Sequence, residues 1–434
     1  MTDQQSAKAM SCMDNPHLQT PAIDGLAKNG VLFQQAYCCN PVCVPSRIGM
    51  FTGHFPHEAG IYLNARTPTR ELRRLPWMGK IFAKAGYETK YFGKWHLLVE
   101  PFLKGIHGFQ QVKITMGRDK DEQVAAACAR EFVRDHKKPF LIVASLLNPH
   151  NVCQLARKTP LPEANIGVAP PPEQCPPLPA NFTIPANEPD AIREAQGDSW
   201  KRYPTKGWTE ADWRQYLWGY YRLVEHVDRI VGTILNALNS SQHARNTIVV
   251  FTADHGEGMA EHGWNQKQAF YDAVARVPFI ISHPGSSIKG KSNRGLLVNS
   301  GVDVIPTLAD LASVPLDNQK YKFPGKSIKD AVFEIDSAPP EHHVVSESEF
   351  GGFATNKWTH EDRAYGRMVR TPRFKYMAYS RGRVREFLVD MEADPGEMIN
   401  LALDSRYTSE LRRHRQLLKE WCIKTGDDFP VISE

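Results

Sequence analysis

Cys43-Val44-Pro45-Ser46-Arg47, followed five positions later by Thr52-Gly53, is the stretch of this 434-residue chain best suited to unusual chemistry. A cysteine two residues before a proline and four before an arginine is what a formylglycine-generating enzyme reads in an extended, still unfolded chain, oxidising the thiol to an aldehyde. A hydrated aldehyde is a nucleophile that no encoded side chain supplies. A buried thiol beside a proline turn fits the same five residues, so the rest of the chain has to decide.

Three apolar runs lead directly into polar clusters. Thr89 to Phe92 runs into Gly93-Lys94-Trp95-His96, Phe140 to Leu147 into Asn148-Pro149-His150, and Asn246 to Ala253 into Asp254-His255-Gly256-Glu257. In open α/β sheets, ligands gather beyond the carboxyl ends of the strands. Asp3, Asp254 and His255 offer oxygen and nitrogen donors, and a hydroxyl of hydrated residue 43 would complete a site for a hard divalent cation. Two carboxylates and an imidazole without thiolate suit calcium, magnesium or manganese better than zinc. Gln4 can add a carbonyl oxygen, although a solvent-facing glutamine fits that position equally.

The elements that must position these groups follow from pattern. Short apolar runs alternate with amphipathic helices, which implies a sheet covered on both faces. Thr20-Pro21 starts a first helix, with threonine as cap and proline at the first helical position. A second helix is expected to begin within Ser46 to Phe51, leaving residue 43 just before an N-terminus suited to an anion. Val277 to Ile281 reads as a further strand, and Trp213 to Leu238 as a long helix whose aromatics face a core. The proline-rich stretch Pro160 to Pro189 reads either as a surface excursion at a substrate mouth or as a plain insertion. A composition shift after Phe323-Pro324-Gly325 divides the chain into a catalytic domain, 1–335, and a subdomain, 336–434. The latter carries strands at Arg367 to Val369, Phe374 to Ala378 and Arg385 to Val389 and a helix from Ser409 to Trp421, hence a small antiparallel sheet packed by one closing helix.

Composition narrows the function classes. Hydrophobic residues at 41% and charged residues at 23% are globular values. The net charge of +5 is mild and nowhere concentrated, so nucleic acid is not expected as a partner, and no apolar run is long enough to span a membrane. The eight cysteines show no zinc-like pairing and are too sparse for a disulfide scaffold. Sequons at Asn181 and Asn239 occur at about the frequency of chance. The chain opens on Met1-Thr2-Asp3-Gln4-Gln5 with no apolar strand ahead of it.

Together these motifs resemble the formylglycine-dependent sulfatases of the alkaline phosphatase superfamily. The order runs nearly end to end: Asp3-Gln4-Gln5, Asn15-Pro16-His17, the Cys43 motif, Gly93-Lys94-Trp95-His96, Asn148-Pro149-His150, Asp254-His255-Gly256, then Arg367-Met368-Val369-Arg370-Thr371 and Asp390 to Pro395. Lys267, thirteen residues beyond Asp254, falls where the family places a lysine that contacts sulfate. The resemblance also implies a buried parallel strand leading into Asp3, so either the true start lies upstream, with that strand and a possible signal peptide, or the chain lacks it. A truncated start is the expectation, with a periplasmic or secreted location if an N-terminal segment is missing and a cytoplasmic one otherwise.

The resemblance implies an alkaline-phosphatase-like α/β/α sandwich with a large, mostly parallel mixed sheet, plus the smaller C-terminal domain. It implies hydrolysis of a sulfate ester, with a sulfated carbohydrate as the best substrate class, a formylglycine-generating enzyme as partner during maturation, and one divalent cation, calcium first. Residue 43 would attack sulfur, Asp254 would accept its proton, and Arg47, Lys94 and Lys267 would stabilise sulfate oxygens beside the cation. His150 would protonate the departing alkoxide and His96 would deprotonate the second hydroxyl. Asn64 would contact the sulfate or the metal shell, unless it is an ordinary loop asparagine, while His54 and His57 read as structural.

Two departures from the family pattern stand out. Gln4 replaces the second acidic residue of the first metal position, and His255 stands where many members carry asparagine. A phosphonate monoester or phosphodiester hydrolase of the same superfamily would use the same residues. An alkaline phosphatase or phosphomutase relative would use serine or threonine and two metals, which the cysteine motif argues against. A non-catalytic sulfated-glycan binding protein would keep the fold and lose the nucleophile or the ligands.

Overall fold

The computed structural model describes residues 1–64, 67–197, 205–334, 342–350 and 363–432. The expected domain boundary at 335/336 lies outside the described residues. Seven strands build the larger part: β1 (Val31–Tyr37), β2 (Glu88–Gly93), β3 (Gln111–Lys113), β4 (Phe140–Ser145), β5 (Val249–Thr252), β6 (Phe279–Ser282) and β7 (Lys291–Asn299). They form two blocks, β3-β2-β4 and β5-β6-β1-β7.

Residues 1–3 lie between the two blocks as a short parallel bridge. The Met1 nitrogen donates to the Ala144 carbonyl at 2.7 Å and the Leu146 N–H to the Met1 carbonyl at 2.9 Å. On the other side the Thr2 N–H donates to the Thr252 carbonyl at 3.0 Å, and Thr2 and Asp3 pair in parallel with Ala253 and Pro149. The blocks thus become one sheet in which β6 alone runs against the rest, since β1 and β5 both pair with it antiparallel while β1–β7, β2–β3 and β2–β4 are parallel. The consequence for function is direct. Parallel strands deliver Asp3, Lys94, His150 and Asp254 to the same edge.

Alternation along the strands explains why both faces are covered. Val31, Phe33, Phe279, Ile281 and Tyr91 enter one core with Ile48, Phe51, Trp77 and Ile305. Their neighbours Leu32, Ile280, Phe92 and Phe251 enter another, against helices Pro21–Lys28, Lys120–Phe132 and Glu210–Asn239. Side chains of successive strand residues point to opposite faces, so apolar residues at both parities require two covering layers. The long helix Glu210–Asn239 starts at a capping box in which Thr209 accepts from the Asp212 N–H and Asp212 accepts from Thr209. Among the described residues no helix is long and apolar enough to cross a membrane.

The smaller sheet is antiparallel throughout, in the order β11-β10-β9-β8, from β8 (Val344–Phe350), β9 (Ala364–Arg370), β10 (Phe374–Tyr379) and β11 (Glu386–Asp390). One face carries Met368, Met377, Phe387 and Val389 against Phe270, Tyr271 and Val274 of the larger part. The other carries Val369, Tyr376, Ala378 and Leu388 against Leu418 and Trp421 of the closing helix Thr408–Thr425. Lys375, fully buried, reaches from β10 to Asp272 at 2.5 Å and Glu397 at 2.6 Å. His57 reaches across in the opposite sense, to Glu347 and the Thr425 carbonyl.

Candidate active site

Cys43 is the first residue of the helix Cys43–Thr52, preceded by Val42 in extended conformation. This start lies earlier than the one expected within Ser46 to Phe51, and a residue before proline, as Val44 is, disfavours helical backbone. Two features overcome this. Pro45 falls in the first turn, where a missing N–H costs nothing, and Asn64 Oδ1 accepts the Val44 N–H at 3.0 Å. The Asn64 oxygen is therefore engaged at the helix N-terminus, in keeping with the loop-asparagine reading and not with that oxygen contacting sulfate or metal. The helix stops at Gly53, whose left-handed φ of 71° favours a glycine and whose N–H closes on the Gly49 carbonyl as in an αL cap.

Arg47 lies one turn beyond Cys43 and is fully buried. Its Nε donates to Asp254 Oδ2 at 2.7 Å, Nη2 to Asp3 Oδ2 at 2.9 Å, and Nη1 to Ser145 Oγ at 3.0 Å and the Lys94 carbonyl at 3.1 Å. This corrects the expected role of Arg47 as a sulfate contact. Nε and Nη2 hold the two carboxylates side by side while Nη1 is spent on Ser145 and the Lys94 carbonyl, a task for a rigid planar fork. Lys94 Nζ adds a second cation to Asp3 Oδ2 at 2.6 Å.

Asp3, Cys43, Asp254 and His255 each offer a donor atom, all within 4.8 Å of one another and all buried. The His255 Nδ1–H donates to the Gly256 carbonyl at 2.8 Å, an assignment made from the partner, which leaves the Nε2 lone pair toward Cys43 Sγ at 3.1 Å. Two carboxylates, an imidazole and the oxygens that would replace sulfur at residue 43 form a donor set that fits a hard divalent cation. Gln4 stands against this group. Its N–H donates to Asp254 Oδ1 at 3.0 Å and its Nε2 to Glu257 Oε2 at 2.6 Å.

The electrostatics separate the two carboxyl groups. Burial opposes ionisation of Asp3, but Lys94, His150 and Arg47 outweigh it and hold the group well below the usual carboxylate range. Asp254 is pushed up to about 7 by burial and by the Asp3 charge, against the pull of Arg47. Such a split is how one site keeps one carboxylate as charge and another as base. Cys43, whose sulfur here stands where the oxygens of a hydrated aldehyde would be, is raised by burial and Asp3 but lowered more by Lys267, His255 and Lys94, ending well below the ordinary thiol value. Lys267 Nζ lies 3.0 Å from that sulfur.

His150 Nε2 stands 4.0 Å from Asp3 Oδ1, with its side chain 26% exposed. Its loop is fixed by Asp121, which accepts from the Leu147 and Asn148 N–H groups and from Asn148 Nδ2. Burial, Lys94 and Lys267 hold His150 well below the usual imidazole range. His96 is a correction: two residues past Lys94 the backbone takes a left-handed step at φ 49°, the side chain is exposed, and no described hydrogen bond or ion pair ties it to Cys43. Among the described contacts, His54 bonds the Thr52 and Tyr321 carbonyls and His57 bonds Glu347 and the Thr425 carbonyl, away from residue 43.

Sequence reasoning gave no role to Glu257, although it closes the Asp254-His255-Gly256-Glu257 cluster. It also assigned the aromatics of the long helix to the core, whereas the buried Tyr216 hydroxyl donates to Glu257 Oε1 at 2.6 Å. Part of the proline-rich stretch, 160–167, lines a cavity of about 1170 Å³ together with Leu155, Lys158, Trp208 and Trp218.

Comparison with known proteins agrees with this geometry. The sulfatase family profile matches residues 1–314, and a profile described as the C-terminal part of N-sulphoglucosamine sulphohydrolase matches residues 260–423. The chain is 32% identical to a Δ4,5-hexuronate-2-O-sulfatase of Bacteroides thetaiotaomicron, over 94% of this chain and 85% of that protein. It is 27% identical to an N-acetylglucosamine-6-O-sulfatase of the same organism, over 100% of this chain and 87% of that protein. Among solved structures, a 2-O GAG sulfatase superposes with a TM-score of 0.87 at 30% identity, covering 100% of this chain and 93% of that one.

Proposed function

The chain belongs to the sulfatase family, and from that premise we propose that it hydrolyses a sulfate ester on a sulfated sugar, with residue 43 as nucleophile after oxidation of its thiol. The observation that carries this reading is the surroundings of Cys43: Lys267 at 3.0 Å, His255 at 3.1 Å and a carboxylate pair locked by Arg47. Asp3, Asp254, His255 and residue 43 would hold the cation, calcium by our reading, which when bound supplies positive charge to the sulfate oxygens. The hydrated aldehyde supplies two hydroxyls on one carbon, one to take the sulfo group and one to let it go.

The chain's own residues do the rest. Asp254, beside residue 43, takes the proton of the attacking hydroxyl. Lys94 and Lys267 flank residue 43 and counter the charge of the sulfo group as it transfers. The sulfur–oxygen bond to the sugar breaks, and His150 gives the sugar oxygen its proton. Burial first, then Lys94 and Lys267, lower the His150 pKa; a bound sulfate anion would offset the lysine charge and shift the imidazole back toward its protonated form. In the second step the remaining hydroxyl gives up its proton to solvent as the carbon–oxygen bond to sulfate breaks and the aldehyde returns; His96 stands outside the cluster and His255 is held for the cation.

The relatives named above act on sulfated hexuronate and glucosamine units, and a further structural neighbour, at 25% identity and TM-score 0.80, was solved with D-glucosamine-2-N,6-O-disulfate. A 2-O-sulfated unsaturated hexuronate is therefore the first substrate to try. The test is inorganic sulfate release by the mature protein from sulfated disaccharides, with a phosphonate monoester and a phosphodiester as comparators. Faster turnover of either comparator would replace this reading by the phosphonate or phosphodiester alternative, and no turnover of any ester by aldehyde-bearing protein would favour a binding role.

A further inference from the structure

We propose that Glu257 is a positioning residue for the cation site: it fixes the Gln4 carboxamide and is the reason an amide, not a carboxylate, stands next to Asp3. The inference rests on the cation site proposed above and concerns a residue to which that site assigns no role.

The geometry begins with Gln4. It is fully buried, its φ is 71°, and its amide nitrogen lies 2.6 Å from Glu257 Oε2. A carboxylate only accepts, so this contact decides which end of the carboxamide is nitrogen. Oε1 is then the other end, and its described hydrogen-bond partner is the Cys153 thiol at 3.8 Å, a weak donor. A buried carbonyl oxygen so poorly satisfied, on a residue whose own N–H holds Asp254 Oδ1, is suited to face a cation.

Glu257 is itself fully buried. Among the described residues no lysine, arginine or histidine forms an ion pair with it; Gln4 Nε2, the Tyr216 hydroxyl and the Gln266 N–H, each at 2.6 Å, are its donors. Gln266 precedes Lys267, so the carboxylate that orients Gln4 also anchors the loop that brings Lys267 to residue 43. A glutamate at position 4 would set two carboxylates at hydrogen-bond distance with no cation between them, which like charges disfavour. Hydrogen-bond partners of metal ligands commonly alter metal affinity by 10–100-fold when removed.

The test is a swap read by cation binding alone. Calcium is titrated by calorimetry, and by its effect on thermal unfolding, into full-length wild type, Glu257→Gln, Gln4→Glu and the double variant Gln4→Glu/Glu257→Gln. Each single variant should bind calcium about tenfold or more weakly than wild type. The double variant inverts the hydrogen bond, with the amide now at 257 and the carboxylate at 4, and should recover wild-type affinity or better. Glu257→Gln binding as wild type does, or a double variant no better than the product of the two single losses, would overturn the proposal while leaving the cation site standing. A double variant that fails to fold would also overturn it. No calcium binding by wild type would refute the site itself, and the proposal with it.

Discussion

The Lys267 ammonium stands 3.0 Å from the Cys43 sulfur, and both side chains are buried. Burial alone does the reverse of what is seen at Cys43: the buried Cys128 thiol is pushed up to about 12 by desolvation, while Cys43 is held well below its ordinary value. Position 43 is therefore built for a negative atom, as the attacking oxygen of a sulfatase would be.

Replacing Cys43 by alanine should abolish sulfate release without unfolding the protein. Cys43→Ser is more informative. A lone hydroxyl can take the sulfo group but has no second hydroxyl with which to expel it, so intact mass should show one sulfo group retained per chain after a single turnover. Sustained turnover by either variant would rule out the aldehyde route.

Asp254→Asn should lose both cation binding and rate. Wild type at a calcium concentration of a hundred times Kd should gain about 2.7 kcal/mol of apparent stability, and the variant far less. The rate should drop by about 10²–10⁴-fold, the usual range for a lost proton acceptor. The unfolding comparison is made with and without chelator, since the variant also leaves Arg47 with one carboxylate instead of two. Equal calcium stabilisation of both proteins would exclude Asp254 as a ligand.

The two histidines at strand ends should separate by leaving group. His150→Ala should slow release of a sugar alkoxide far more than release of 4-nitrophenolate, which needs little protonation. His96→Ala, altering an exposed residue outside the cluster, should change KM at most and leave kcat close to wild type on both substrates. Equal losses on both esters for His150→Ala would remove it from the acid role, and accumulation of sulfated enzyme in His96→Ala would restore the elimination role that the sequence suggested.

Stability should fall as pH rises through the window set by His57. Burial lowers this imidazole, but Glu347 at 3.0 Å and Asp427 outweigh it and push it up to about 9 from 6.5. Between those values the folded chain holds a proton that the unfolded chain has released, so the contribution is complete below pH 6.5 and gone above about pH 9. Its size is on the order of 3 kcal/mol. Denaturant unfolding of wild type and His57→Gln at the two ends of the window checks it: the variant should show the flatter dependence, and parallel curves would dismiss the assignment.

What the sequence disclosed and withheld has a physical pattern. Strand ends were legible because an apolar run followed at once by Lys94, His150 or Asp254 is a strong contrast. Strands β1 and β7 were not, since Gln34 and Gln35 interrupt the first, while Lys291, Asn293, Arg294 and Gly295 break the period of the second. The identities of the Cys43 companions could be read, but not how their donors are spent. Whether Arg47 faces substrate or two carboxylates, whether Asn64 caps a helix, and whether Glu257 holds Gln4 depend on side-chain directions set by tertiary packing.

The three-residue bridge at the middle of the sheet has a mechanical consequence. Asp3 belongs to neither block, yet it pairs beside Pro149 on the β4 side while Thr2 holds β5 on the other. Asp254 enters from the β5 block, and Lys94 and His150 enter from the β2–β4 block. Whatever engages Asp3 and Asp254 together acts as a rivet across a seam that residues 1–3 and the Arg47 guanidinium already hold. Occupancy of that position should therefore be felt far from the chemistry, as hydrogen exchange in β2 and β4 falling into step with that in β5 and β1, two halves opening as one.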